Sequence, residues 1–201
     1  GRWAELESTL IARHDLAQGA ARAELALALG SVQRKHLGKV ESAIEAYREV
    51  LALSAHHQGA LDALESLLGD ERWRVVAART LEPEFEETGE FRKLAWVLQI
   101  LFDVEQDADR RRELGLRLAR VYSERLDDPR SGFDLLRSML DAEPASEPIA
   151  NAVTELSIEG GWTTELAGFL ATLVAREGVD PAVRVGLARR TAALHEDRNG
   201  D

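Results

Sequence analysis

The sequence contains one pattern twice, and that repetition restricts the possible folds more than any other feature. Residues 23–53 and 112–142 each contain a helical stretch, a turn and a second helical stretch whose apolar residues recur at the i, i+3, i+4, i+7 spacing of one helix face. The two copies are 89 residues apart, as the positions of Leu25 and Leu114 show. Because a single helix pair cannot bury its own apolar face, neighbouring pairs must stack. The pattern therefore predicts a chain of stacked helix pairs.

The composition favours helices throughout the chain. Leu, Ala, Arg and Glu are abundant, and the 201 residues include only five prolines. Hydrophobic residues make up 45% and charged residues 30%, which is typical of a folded protein rather than a disordered one. We therefore predict an all-α fold of about a dozen helices with no strand.

Turn and capping residues predict several helix boundaries. Gly38 supplies the backbone freedom that ends a helix, and Asp128 precedes Pro129 as an N-cap followed by proline at the first helical position. Pro83 lacks an N–H, and its ring interrupts a helix interior. Segment 73–90 is therefore predicted to contain two short helices.

A second spacing indicates how the repeats divide. Leu94 and Leu166 are 72 residues apart, and Leu116 and Leu187 are 71 apart, which gives a basic unit of about 71 residues. We interpret residues 1–201 as one repeat domain with a first copy, a two-helix acidic insertion, a second copy and a truncated third copy, at 1–72, 73–90, 91–161 and 162–201. Because the third copy stops inside its repeat, we expect a longer parent protein.

Within residues 1–201 no repeat precedes the first helix, so we expect part of this helix to be uncovered. Trp3, Leu6 and Leu10 lie on one face of this helix and are expected to be uncovered. Exposed apolar ends predict weak self-association into homo-oligomers.

Charge and motifs argue against several classes of function. The net charge of −11 would repel nucleic-acid phosphates, and no apolar stretch reaches the roughly 18 residues that a transmembrane helix needs. The chain has no cysteine, no glycine-rich phosphate loop and no nucleophile motif, and its five histidines lack the spacing of a zinc-binding helix. We predict a non-enzymatic protein with no cofactor or metal, no nucleic-acid partner and no membrane insertion. The compartment stays open, with the cytoplasm slightly favoured, and the excess of Arg over Lys is a weak sign of a bacterial source.

The segment SAIEAYREVLALSAHH resembles the second helix of a tetratricopeptide repeat, and the leucine-rich helix before it carries a small residue, Gly30, as that family's first helix does. Ala43, Tyr47, Val50 and Leu53 stand where that family places its small and bulky packing residues. In the later copy, ARVYSERL and DDPRSGFDLL fit the same pattern, with Tyr122 at the aromatic position. The resemblance implies a right-handed α-solenoid of antiparallel helix pairs.

The same resemblance implies a groove that binds a protein or a peptide. Its inner helices, near residues 22–36, 111–125 and 183–195, would line the concave side. The groove residues that the resemblance implies are Glu24, Leu27, Ser31, Arg34, Glu113, Arg117, Arg120 and Arg184.

Two charged clusters each allow two interpretations. The arginines from Arg110 to Arg125 could receive an acidic peptide, although Glu113, Arg117, Arg120 and Glu124 are spaced to pair along one helix face, which we favour. An acidic ridge in segment 73–90 could dock a basic partner, and the alternative is a solvated helix face. The ridge consists of Glu82, Glu84, Glu86, Glu87 and Glu90.

These observations favour a protein or peptide interaction module within a larger protein. The alternative is a structural spacer, or a segment that assembles through its terminal repeats.

Overall fold

The computed structural model describes residues 1–199, and the side chains of residues 1–194. This part of the chain is all-helical, with eleven helices and no strand, which confirms the all-α prediction. The helices form two compact units, Gly1–Val104 and Glu105–Asp201.

Unit 1 contains six helices, each of which packs against the next. They are α1 (Arg2–Leu16), α2 (Gly19–His36), α3 (Val40–Leu53), α4 (Gln58–Glu65), α5 (Arg74–Thr88) and α6 (Phe91–Val104). Gly38 adopts a φ of +66° between α2 and α3, as the sequence predicts for a helix stop. The core is built from one face of each helix and includes Ile44, Leu64 and Leu98, all at most 1% exposed.

Segment 73–90 holds one helix, so the prediction of two short helices is wrong. Pro83 lies inside α5 and is exposed. An interior proline costs a helix about 3 kcal/mol. Leu81 and Phe85, four residues apart on one face, are both fully buried on either side of the proline. Burial of each of these side chains contributes about 1.5–3 kcal/mol, which offsets the cost of the proline. The helix therefore continues through Pro83.

Unit 2 contains five helices, and again each packs against the next. They are α7 (Ala108–Arg120), which continues as a π-helical turn (Val121–Arg125), α8 (Pro129–Ala142), α9 (Glu147–Glu159), α10 (Thr163–Ala175) and α11 (Pro181–Asn199). The side chain of Asp128 accepts a hydrogen bond from the Ser131 amide, which confirms Asp128 as the N-cap of α8. Phe133, Leu140 and Ile149 are fully buried in its core.

Helix positions recur at one spacing along the whole chain. Helices α7, α8, α9 and α10 begin 89 residues after α2, α3, α4 and α5, respectively, and α6 begins 89 residues after α1. The backbone conformation recurs at the same spacing. Gly38 and Asp127, which are equivalent positions, both have positive φ, and so do the equivalent residues Gly89 and Gly178. Helix α5 thus has a counterpart in α10. The chain can thus also be divided into units of 89 residues with five helices each. The division into units of about 71 residues stays a prediction.

The first helix leaves part of its apolar face uncovered, as expected. Trp3 is 45% and Leu6 39% exposed, although Trp3 stacks on the His36 ring with the centroids 3.5 Å apart. Leu10, expected on the same uncovered face, is instead buried at 9% exposure because α2 packs on that side of α1. Among the described residues, no helix combines the length and hydropathy needed to cross a membrane.

Candidate functional site

Unit 1 has a groove between α2, α3 and α4, which we call the first groove. It has a volume of about 610 Å³. Its lining residues are Ser31, Arg34, Lys35, Tyr47, Gly59, Asp62, Ala63 and Ser66.

The first groove is polar at its centre. The buried Tyr47 ring lies against Gly30, so close that a Cβ added at Gly30 would lie 2.6 Å from Cε1 of the ring. Burial raises the pKa of Tyr47, and hydrogen bonds with Ser31 and Arg34 oppose that rise only in part. Arg34 also donates to the Ala63 carbonyl at 3.1 Å, which joins α2 to α4. The groove lining therefore includes a buried neutral phenol, the half-buried Arg34 guanidinium and the exposed Lys35 ammonium.

Unit 2 has a groove between α7, α8 and α9, which we call the second groove. It has a volume of about 510 Å³. Its lining residues are Leu116, Ala119, Arg120, Ser123, Glu124, Pro129, Leu136, Pro148, Asn151, Ala152, Glu155, Leu156, Glu159 and Gly160.

The second groove has an apolar floor and an acidic rim. Leu136 and Leu156 are 2% and 6% exposed and form much of the floor. The rim carries three exposed carboxylates, Glu124, Glu155 and Glu159. Within the part of the chain that the structure describes, none of the three has an ion-pair partner within 4 Å.

The two grooves occupy equivalent places in the two units. Every residue that lines the first groove has a counterpart 89 positions later that lines the second. The counterparts of Ser31, Arg34, Lys35, Tyr47, Gly59, Asp62, Ala63 and Ser66 are Arg120, Ser123, Glu124, Leu136, Pro148, Asn151, Ala152 and Glu155. Only the alanine is the same in both, so an equivalent surface carries different chemistry.

Three of the eight groove residues implied by the resemblance line these grooves: Ser31 and Arg34 in the first, and Arg120 in the second. Glu24 lies beside the first groove, with a carboxylate oxygen 3.5 Å from His57 Nε2. The Leu27 side chain lies next to Gly59.

The other three residues line neither groove. Glu113 is exposed and Arg117 is half-buried on α7. Arg184, on α11, donates from a terminal nitrogen to the Arg176 carbonyl at 2.9 Å. The favoured pairing along the α7 face is not formed by Glu113, Arg120 or Glu124, which have no ion-pair partner among the described residues. Arg120 and Glu124 line the second groove instead.

The acidic ridge, with four of its five glutamates on α5 and Glu90 just after that helix, is partly bound to neighbouring groups. Glu84 accepts hydrogen bonds from the His56 amide and from Nδ1 of the same residue, at 3.2 and 3.0 Å. Glu90 lies 2.7 Å from the Lys93 ammonium, which also binds Glu65. These bonds raise the pKa of Lys93. Glu84 therefore joins α5 to the connection between α3 and α4, whereas Glu90 lies beyond α5 and binds α6. Glu86 and Glu87 are exposed at the surface.

Sequence reasoning missed the groove residues contributed by α4 and α9. Asp62, Glu155 and Glu159 lie on these two helices. The signal that could have found them is the 89-residue spacing, applied to α4 and α9 as well as to the more regular helices before them.

No cluster of three or more potential metal ligands among His, Cys, Asp and Glu occurs in the described residues. No protein-family model matches the sequence, and a search of curated proteins finds no match.

Proposed function

We propose that this chain is a protein-interaction module that binds peptide segments of partner proteins in its two grooves. The observation that carries the proposal is the residue-by-residue correspondence of the grooves. A groove of several hundred Å³ is large enough to receive one or two side chains of a bound segment. Two equivalent grooves with different linings suit a module that recognises more than one segment.

A solenoid of tetratricopeptide-like helix pairs is part of this proposal. Support comes from the packing of each helix on the next within each unit. Helix α2 also touches α4, and α7 touches α9, as stacked pairs require. The close approach of Tyr47 to Gly30 agrees with the tetratricopeptide resemblance at these positions.

A binding role without catalysis is also proposed. The residues that line the grooves include no histidine, so neither groove pairs a hydroxyl nucleophile with an imidazole base. The net charge of −11 supports a protein partner rather than a nucleic acid.

Bulky substitutions in the grooves test the proposal. Random peptides are selected on the wild-type protein and their dissociation constants are measured by fluorescence anisotropy. The variant Ala63→Phe/Ala152→Phe places a large side chain at the equivalent half-buried alanine of each groove. We expect it to weaken binding by about tenfold or more, because the side chain occupies the space of the ligand.

The matched control is Ala52→Phe/Ala171→Phe, which places the same side chains at exposed helical alanines away from both grooves. Its affinity should equal that of the wild type. Selected peptides that bind the groove variant as tightly as the control would refute the grooves as binding sites.

A second candidate function is assembly through the α1 end. Trp3, Leu6, Ile11 and Leu16 are exposed on α1, from 39% to 88%. Exposed large apolar side chains clustered on one element are typical of a surface that another molecule covers. Light scattering over a range of concentrations tests this function. A mass that rises with concentration, and that falls to the monomer value in Leu6→Lys/Ile11→Lys, would support assembly, whereas a constant monomer mass would exclude it.

A further inference from the structure

The second groove combines a place for an apolar side chain with an acidic rim, whose three carboxylates outnumber the single cation of the lining, Arg120. Its floor contains Leu116, Leu136 and Leu156, and the small residue Ala119 also lines it. An apolar anchor of a partner would replace water over this floor, and the removal of apolar surface from water favours binding. The floor therefore suits a leucine-like side chain.

Two of the rim carboxylates are placed at a cost to their own helix. Glu155 and Glu159 lie four residues apart on α9, where like charges repel. Glu159 is also the last residue of α9, next to the negative end of the helix dipole. A cation bound at this rim would relieve both unfavourable interactions, so binding a cation favours the helix as well as the partner.

The acidic rim is particular to this groove and does not simply follow from the overall negative charge. At the equivalent positions the first groove has Lys35 in place of Glu124 and Ser66 in place of Glu155. The charge of the second groove therefore selects between partners that the shape alone would accept equally.

We propose that the second groove binds a peptide segment of a partner protein that carries an apolar side chain flanked by lysine or arginine. This inference rests on the proposed function, and it specifies the chemistry of the partner. The leucine floor holds the apolar anchor, and Glu124, Glu155 and Glu159 hold the flanking cations.

Three blocked hexapeptides test the inference: KKLLKK, EELLEE and KKSSKK. Each is titrated into the protein by isothermal calorimetry at low salt and at about 0.5 M salt, where surface charges are largely screened. We expect KKLLKK to bind about tenfold or more tightly than EELLEE, and also more tightly than KKSSKK, because both the cations and the apolar anchor contribute. The preference over EELLEE should shrink at high salt.

Glu124→Gln/Glu155→Gln/Glu159→Gln should lower the affinity for KKLLKK about tenfold. The control Glu5→Gln/Glu41→Gln/Glu71→Gln neutralises three exposed carboxylates outside the groove and gives the same net charge. Its affinity for KKLLKK should stay within about twofold of the wild type, because general attraction of a polycation is weak at distance. Circular dichroism verifies that both variants keep their helical content.

Conversion of the second groove provides a positive test. Glu124→Lys/Glu155→Ser introduces the residues of the first groove at the equivalent positions, and it should weaken KKLLKK and strengthen EELLEE. Equal affinity of KKLLKK for the groove triple variant and its control would overturn the inference, as would equal binding of KKLLKK and KKSSKK. The proposed function is judged separately, by whether the selected peptides lose affinity in Ala63→Phe/Ala152→Phe.

Discussion

Arg48 on α3 and Arg137 on α8 occupy equivalent positions 89 residues apart, yet they donate hydrogen bonds to different kinds of side chain. Arg48 donates to the Thr80 hydroxyl at 3.0 Å, which joins α3 to α5. Arg137 donates to Glu165 at 2.7 Å, and Arg130 holds the same carboxylate in a two-point contact at 2.8 and 3.0 Å, so that α8 is joined to α10. The two units therefore connect equivalent helices through a neutral hydroxyl in one and a shared carboxylate in the other.

The close approach of paired helices is also achieved by different residues in the two units. In unit 1 the glycine is on α2, where Gly30 leaves room for the Tyr47 ring. In unit 2 it is on α8, where a Cβ on Gly132 would lie 2.9 Å from the Ala119 carbonyl oxygen. The counterpart of Gly30 is Ala119. Either helix of a pair can provide the glycine, so helix spacing is shared by the units while the residues that achieve it differ.

Helices α5 and α10 allow the largest test of this comparison. Phe85 is fully buried on α5, and its counterpart on α10 is the half-buried Val174. We expect Phe85→Ala to destabilise the protein by about 3–5 kcal/mol, because it leaves a cavity and removes an apolar contact that holds α5 together beyond Pro83. Val174→Ala should cost less than half as much. Free energies of unfolding from denaturant titrations measure both, and equal losses would show that Phe85 has no special role.

The error at Pro83 shows why some boundaries can be predicted and others cannot. Gly38 and Asp128 act through their own backbone and nearest amides, so local sequence is sufficient to place the turns beside them. The continuation of α5 depends on Leu81 and Phe85 being buried against other helices. That burial is a tertiary effect that overrides a local rule.

Some residues of the candidate grooves could likewise be predicted from the sequence, and others could not. The tetratricopeptide resemblance implies Ser31, Arg34 and Arg120, and all three line the grooves. Helix periodicity by itself shows only which residues share a face of one helix. It does not tell which helix lies opposite, so the contributions of Asp62 and Glu155 could not be predicted from periodicity alone. A face can be read from one helix, whereas a groove needs the packing of at least two.

A second test concerns the close helix approach in unit 2. Gly132→Ala would force a Cβ against the Ala119 carbonyl oxygen, which belongs to the backbone and cannot rotate away. Crowding of this kind costs about 1–3 kcal/mol, and the better helix propensity of alanine returns up to about 1 kcal/mol. We expect a net loss of about 1–2 kcal/mol by chemical denaturation. Unchanged stability would mean that α7 and α8 can separate without cost.

A glycine without close neighbours should respond in the opposite direction. Gly168 is exposed within α10, and a Cβ there would meet no atom within 4 Å. Gly168→Ala should therefore stabilise the protein by about 0.5–1 kcal/mol, since alanine loses less backbone freedom than glycine when the helix forms. The same denaturant titration measures it beside Gly132→Ala. If both substitutions destabilise, steric contact does not explain the difference between the two glycines.

The smallest expected effect is the pH dependence of stability that one carboxylate in each unit, Glu7 or Glu165, contributes. Hydrogen bonds from Lys39 and Gln33 hold the pKa of Glu7 below its ordinary value, and Arg130 does the same to the pKa of Glu165. A pKa that is lower in the folded than in the unfolded protein adds stability above the unfolded value of about 4.3, and that stability is lost as the pH falls through the folded value. Glu7→Gln and Glu165→Gln should each be less stable than the wild type at pH 7 and approach it in acid.

The two carboxylates should differ in their response to salt. The Glu7 side chain is 10% exposed, whereas the Glu165 side chain is 36% exposed. Because salt screens exposed charges more than buried ones, the loss in Glu165→Gln should shrink at about 1 M salt while the loss in Glu7→Gln persists. Unfolding free energies at pH 7 and pH 3, each at low and high salt, separate the two. A deficit that is equally large at both pH values would show that packing, rather than the carboxylate charge, is what either substitution disturbs.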